Sequence, residues 1–258
     1  LAKNKTGYKN IVKLTSKAYD NFLGKPHVSY EMLKEYSEGL IVTSACIGGE
    51  IPRKILKDDY EGAKKVALEF KSIWGEDFYL EIQRHNMGAE EDKANAGILK
   101  LGKELGIKVV ATTDSHYTNK EDSREHEILL CLQTGTTLSN ENHMKFKGTG
   151  YHIHTPEEME MLFSDIPEVL DNTLEVAEKA CFELELGKLY MPKFDIPVPF
   201  KDEDEYFKHL VWQGFDFRFK GTENYNDQVY RDRIDYETET IIKMGFSGYF
   251  LIVWDFIK

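Results

Sequence analysis

Apolar and polar positions along this chain alternate between two periods. Tyr8, Ile11, Val12, Thr15, Ala18, Tyr19 and Phe22 recur at three- and four-residue steps, which predicts a helix over 8–22 closed by Gly24-Lys-Pro26. Ser29 caps a short helix through Tyr36, and Gly39 closes it. Leu40-Ile-Val-Thr-Ser-Ala45 is a continuous apolar and β-branched run, the pattern of a buried strand, and it ends on Cys46-Ile-Gly-Gly49. Tyr60 to Trp74 is an amphipathic helix stopped by Gly75. Phe78-Tyr-Leu-Glu-Ile-Gln83 is the next strand, ending on Arg84-His85. A helix over 90–105, ended by Gly106, feeds a strand around Val109-Val-Ala111. The order helix, strand, helix, strand, helix, strand argues for a parallel sheet with right-handed crossovers.

Beyond Tyr117 the pattern turns helical. A helix is expected from Glu121 to Gln133 with Asn119 as its cap. Thr155-Pro-Glu-Glu158 combines a capping box with proline at the first helical position, and a helix over 165–181 buries Ile166, Val169, Leu170, Thr173, Val176, Ala177 and Ala180. Met191-Pro-Lys-Phe-Asp-Ile-Pro-Val-Pro199 carries three of the seven prolines and reads as a domain boundary. Helices near 203–219 and 227–244 follow, then Gly245-Phe-Ser-Gly248 as a helix end and turn before an apolar run to Lys258. Such a run left free would expose a large apolar surface, and the opening Leu1-Ala-Lys-Asn begins as if a strand had just ended. The chain is therefore expected to be a fragment of a longer protein.

Composition narrows the class. The 258 residues are 41% hydrophobic, enough for a substantial core, and the net charge of −12 argues against a generic nucleic-acid sleeve. Cys46, Cys131 and Cys181 form neither a CxxC nor an even framework, so a reducing, cytoplasmic setting fits. No apolar run approaches the roughly 20 residues that span a bilayer.

Candidate chemistry gathers at the strand ends. The strand at Val109 delivers Asp114 and His116, carboxylate and imidazole one residue apart, and the two strands before it end on Cys46 and His85. Three strand ends in register suggest one rim with a site on it, and a part-barrel is the architecture this favours. Asp and His together suit Zn²⁺, Mn²⁺ or Fe²⁺, and Cys46 could add a thiolate, whereas zinc wants at least three protein ligands. Each residue also has a plain reading. Asp-Ser-His can be a helix-capping loop, Cys46 a small buried hydrophobe, and His85 a solvated surface residue. His152-Ile-His154 would point two imidazoles to one face of a strand, but it sits beside the Thr155 capping box and reads as structural. His126-Glu127 lacks the second histidine of a zincin helix, and there is no GxxxxGK[ST] or GxGxxG. Cys131 and Cys181 are placed on apolar helix faces.

Ser44-Ala-Cys-Ile-Gly-Gly-Glu50, Phe78 to His85, Ala111-Thr-Thr-Asp-Ser-His-Tyr117 and Ile241 to Phe256 occur in this order. With Leu129 to Gly135, Thr155 to Met159 and Leu184 to Gly187, they closely resemble the alpha subunits of bacterial DNA polymerase III, the C-family replicative polymerases. The resemblance covers essentially the whole chain. It implies an α/β fold: residues 1–187 as the later part of a polymerase-and-histidinol-phosphatase (PHP) domain, a distorted seven-stranded β/α barrel, and residues 188–258 as a mostly helical start of the polymerase palm region. It also implies that Cys46, Asp114 and His116 occupy metal-ligand positions, that His85 is a common rim residue not assigned as a ligand, and that His152 and His154 match no ligand motif. The implied cofactors are Zn, Mn or Fe at the PHP site and Mg for polymerase chemistry. The implied partners are primer-template DNA, dNTPs, the sliding clamp and the proofreading or loader subunits. Family members with the full ligand set are associated with 3′–5′ exonuclease or pyrophosphate hydrolysis. The remaining PHP ligands and the palm aspartates of the family fall outside this sequence, so the chain alone is expected to be inactive in both chemistries. Two readings stand beside this one: a stand-alone PHP phosphoesterase, and a non-catalytic scaffold.

Overall fold

The computed structural model describes residues 1–188 and 190–258. The chain forms two compact units, Leu1–Leu184 and Glu185–Lys258. In the first, α1 (Lys5–Asp20) is capped by the Asn4 side chain, which accepts the Gly7 N–H, and α2 (Tyr30–Glu35) by Ser29, which accepts from Met32. Three short parallel strands follow with helices between them: β1 (Val42–Thr43), α3 (Glu50–Leu56), α4 (Tyr60–Trp74), β2 (Phe78–Ile82), α5 (Ala89–Leu105) and β3 (Val109–Ala111). The sheet order is β1-β2-β3, with Val42 beside Phe78 and Leu80 beside Val109. Gly106 ends α5 in the left-handed region (φ +59°), where a glycine has no Cβ to clash.

Alternation along β2 divides the core. Phe78, Leu80 and Ile82 join the larger cluster with Ile51, Ile55, Ala67, Ile98 and Leu101 from α3, α4 and α5, while Tyr79 packs with Ile41 and Val110. All five β2 residues are buried, the signature of a strand covered on both faces. The helices α6 (Ser123–Gln133), α7 (Pro156–Leu162) and α8 (Glu168–Lys179) complete this unit, and α8 packs on β3.

Several expectations are corrected here. The run 40–45 pairs as a strand only at Val42–Thr43, because β2 is the one strand beside it and Leu40 instead bridges antiparallel to Ala2. The helix α3 was not anticipated: it is seven residues long and Gly49 gives it no side-chain cap. Asn119 caps a 3₁₀ turn (Lys120–Asp122) rather than α6, in a capping box with Asp122. Cys131 is buried, but Cys181 lies beyond the end of α8 and is exposed, so it is not a core residue.

In the second unit α9 (Glu203–Phe219) begins at the Asp202 cap, and α10 (Gln228–Lys243) at the Asp227 cap. The apolar run after Gly245 is a helix, α11 (Ser247–Ile257), which packs on α9 and buries Leu251. The Ser247 hydroxyl donates to Asp204 at 2.5 Å, and the Arg231 guanidinium lies over Tyr225 and Phe215. Among the described residues no single helix is long and apolar enough to cross a membrane.

Candidate functional site at the strand carboxyl ends

Each strand ends in a strained turn. Ala45, Asn86 and Asp114 have φ of +62°, +55° and +45°, and they follow β1, β2 and β3 in turn; Asp58 is the only other non-glycine residue with positive φ among those described. An alanine or aspartate there costs roughly 1–2 kcal/mol, so the surrounding structure must over-determine these turns. Of the side chains beside these turns, Cys46 and His85 line one cavity, whereas Asp114 and His116 are not among its lining residues.

Asp114 and His116 are brought together: Asp114 Oδ1 is 3.5 Å from His116 Nε2, longer than a normal hydrogen bond, and both side chains are partly open to solvent. The His116 N–H donates to the Tyr151 carbonyl at 2.8 Å, and its ring meets Phe146 edge-on at 4.5 Å. Half-buried Cys46 lines a cavity of about 20 Å³, room for one water, whose walls include Glu81, Gln83, His85 and Glu91. Beside it Ser44 accepts the Glu81 N–H, while Gln83 and Thr112 both donate to the Glu81 carboxylate.

His85 is neither a solvated residue nor part of the Asp114–His116 contact. Its side chain is 3% exposed, Nε2 lies 2.8 Å from the Thr113 carbonyl, and Nδ1 faces Glu91 Oε1 at 3.5 Å. A carbonyl can only accept, so Nε2 carries the hydrogen. Burial alone would lower the His85 pKa, but Glu91 and the Thr113 carbonyl outweigh it and the net shift is upward. The ring stacks on Tyr151 with centroids 4.1 Å apart. Burial, then the charges of Glu91 and Asp114, push the Tyr151 hydroxyl up to about 12.

Sequence reasoning missed Glu91 and Tyr151. The first turn of α5 holds Glu90, Glu91 and Asp92, and nothing in the sequence marks Glu91 as the one that turns inward. His152 is buried and stacks on His154 at 4.0 Å; its ring nitrogens lack a hydrogen-bond partner, and Glu158 lies 3.6 Å from Nε2.

The metal fit is partial. Asp114 and His116 are two donors of the right chemistry, but among the described residues no group of three or more His, Cys, Asp or Glu side chains could hold a metal ion. A zinc site wants at least three protein ligands, so the residues gathered here do not complete one.

A mixed α/β unit with a small parallel sheet is consistent with a PHP domain, and residues 1–85 match the family model of the PHP domain. Residues 205–258 match that of the bacterial DNA polymerase III alpha NTPase domain. Over its whole length the chain is similar to a segment of DNA polymerase III alpha subunits. It is 46% identical to the subunit of Borreliella burgdorferi, 37% to that of Campylobacter jejuni and 37% to that of Treponema pallidum. All of this chain is covered in each case, but only 22–24% of the relative, so it spans about a quarter or less of their length.

Proposed function

We propose that the chain is a region of the catalytic alpha subunit of a bacterial replicative DNA polymerase, which acts in the cytoplasm in template-directed DNA synthesis. Residues 1–187 are the later part of a PHP β/α barrel, and residues 188–258 the start of the polymerase palm region. The observation that carries this is the similarity along the full chain to alpha subunits, together with matches to both a PHP and a polymerase family model. The second match also weighs against a stand-alone phosphoesterase.

Within this reading Cys46, Asp114 and His116 supply part of a divalent-metal donor set. The set is completed by residues of the longer protein, and the metal is Zn, Mn or Fe. Such a centre supplies the chemistry of phosphoester hydrolysis, in the manner of an exonuclease. The contribution of these residues is to hold a carboxylate and an imidazole on the turn after β3. Mg²⁺ serves the polymerase chemistry, and the partners are primer-template DNA, dNTPs and other replisome subunits such as the sliding clamp.

Metal content after dialysis tests the assignment, measured on the 258-residue chain and on a version extended to the length of its relatives. The expected result is metal in the extended form only, reduced by Asp114→Asn. Unchanged stoichiometry in Asp114→Asn overturns the ligand assignment and leaves the PHP region a brace for the polymerase. The 258-residue chain itself is expected to show no metal-dependent nuclease or polymerase activity.

A further inference from the structure

Asp114 and His116 stand on a turn that the chain geometry alone does not favour, since Asp114 holds φ at +45°. His85 touches both flanks of that turn. On the near side its Nε2–H donates to the carbonyl of Thr113, the residue before Asp114, at 2.8 Å. On the far side its ring stacks at 4.1 Å on Tyr151, whose carbonyl accepts the N–H groups of His116 at 2.8 Å and Tyr117 at 3.3 Å. The His85 carbonyl also accepts the Thr149 N–H at 2.6 Å, so the segment carrying Tyr151 is fastened to the turn after β2. That fastening needs Gly148: a Cβ there would lie 2.0 Å from the His85 oxygen, and its φ is +80°.

His85 is itself held. Glu91 Oε1 accepts the His85 backbone N–H at 2.7 Å and faces the ring Nδ1, and Oε2 accepts the Met87 N–H at 3.3 Å. Both side chains are buried; the backbone N–H groups of His85 and Met87 hold the Glu91 carboxylate beside the ring, and the ring's own hydrogen bond is the one from Nε2–H to Thr113.

We infer that His85 and Glu91 are a positioning pair, with no ligand role, that sets the spacing of Asp114 and His116 by clamping Thr113 on one side and Tyr151 on the other. His85 touches the flanks of that turn, Glu91 touches only His85 and Met87, and neither contributes a donor to the Asp114–His116 contact. This rests on the reading of Asp114 and His116 as metal ligands only for its consequence; the clamp itself is testable without metal.

Two variants separate the clamp's parts. His85→Phe keeps a ring to stack on Tyr151 and removes the donor to Thr113; His85→Gln keeps a donor and removes the stacked ring. Amide hydrogen exchange of the 258-residue chain gives the metal-free readout. The His116 and Tyr117 amides should exchange about tenfold faster or more in both variants, with the amides of α4 and α5 unchanged. Unchanged exchange at His116 in both variants overturns the clamp, whatever the metal result.

Cobalt titration of the extended protein, followed by its visible absorption, gives the second readout. Both variants should bind Co²⁺ about 10–100-fold more weakly at unchanged stoichiometry, an effect that a purely structural role would not produce. Loss of one metal per chain, as expected for Asp114→Asn, would make His85 a ligand and also overturn the inference. Absence of any Asp114→Asn effect beside faster exchange at His116 would sink the metal reading and leave the clamp standing.

Discussion

The two ends of the three-stranded sheet are built on opposite plans. At the amino ends of the strands, buried Tyr79 donates to Glu175 at 2.7 Å and accepts from Lys179 at 2.8 Å. Lys179 also pairs with Asp77, Asp77 with Lys3, and Glu175 with Lys108. Charges alternate in sign along this network and its charged groups find close partners, although the buried Trp74 Nε1 nearby has no hydrogen-bond partner. At the carboxyl ends the backbone is held at positive φ three times, and the Asp114–His116 pair is loose and partly exposed. The first end closes the fold; the second stores strain and leaves donors available. A parallel sheet wrapped by helices gives this asymmetry, because chemistry collects where strands deliver their last residues into loops.

Three substitutions would break or sharpen this contrast. Tyr79→Ala should have the largest effect, a loss of about 3–5 kcal/mol in denaturant unfolding, because it opens a cavity and strips partners from Glu175 and Lys179. A loss as small as that of a surface residue would remove the amino end's claim to be the stabilising one.

Ala45→Gly acts at the other end and with the other sign. Glycine meets no Cβ penalty at φ +62°, so the variant should gain about 0.5–1 kcal/mol after the added chain entropy is subtracted. A destabilised variant would mean that the turn after β1 is not a reservoir of strain.

Glu175→Gln should be the mildest and is read against pH. Lys108 first, then Tyr79 and Lys179, hold the Glu175 carboxyl down to about 2 from an ordinary 4.5. A carboxylate with a lowered folded-state pKa contributes its stability in full above the unfolded value. The contribution is lost as pH falls from about 4.5 towards about 2. The wild type should therefore lose more stability than Glu175→Gln across that window. The difference should stay below about 1 kcal/mol, since these side chains remain partly solvated. Parallel acid curves for the two proteins would show that the ion network does not hold the amino end.

Much of the carboxyl rim was legible beforehand. The apolar runs before Cys46, His85 and Asp114 mark strands, and the residue after each run is a side chain with chemistry. Helix limits were legible where local signals agree, as at Gly75 and at the Thr155 capping box with Pro156. The apolar run after Gly245 gave no period, and a segment apolar on every side does not declare itself helix or strand until it packs. Cys181 shows the limit of a helical pattern: the periodic face continues past Lys179, but the helix does not.

The sequence by itself determined the alternation of strands and helices, the caps, and which residue types stand at the strand ends, because these depend on neighbours a few positions away. Tertiary structure decided that β1 pairs over only two residues, that His85 is buried against Tyr151, and that Glu91 of three adjacent acids turns inward. Those outcomes depend on partners distant in sequence. The physical reason is that a hydrogen bond such as His85 to Thr113, or a ring stack such as His85 on Tyr151, joins residues with no local register between them. Only the packed sheet brings the two within reach.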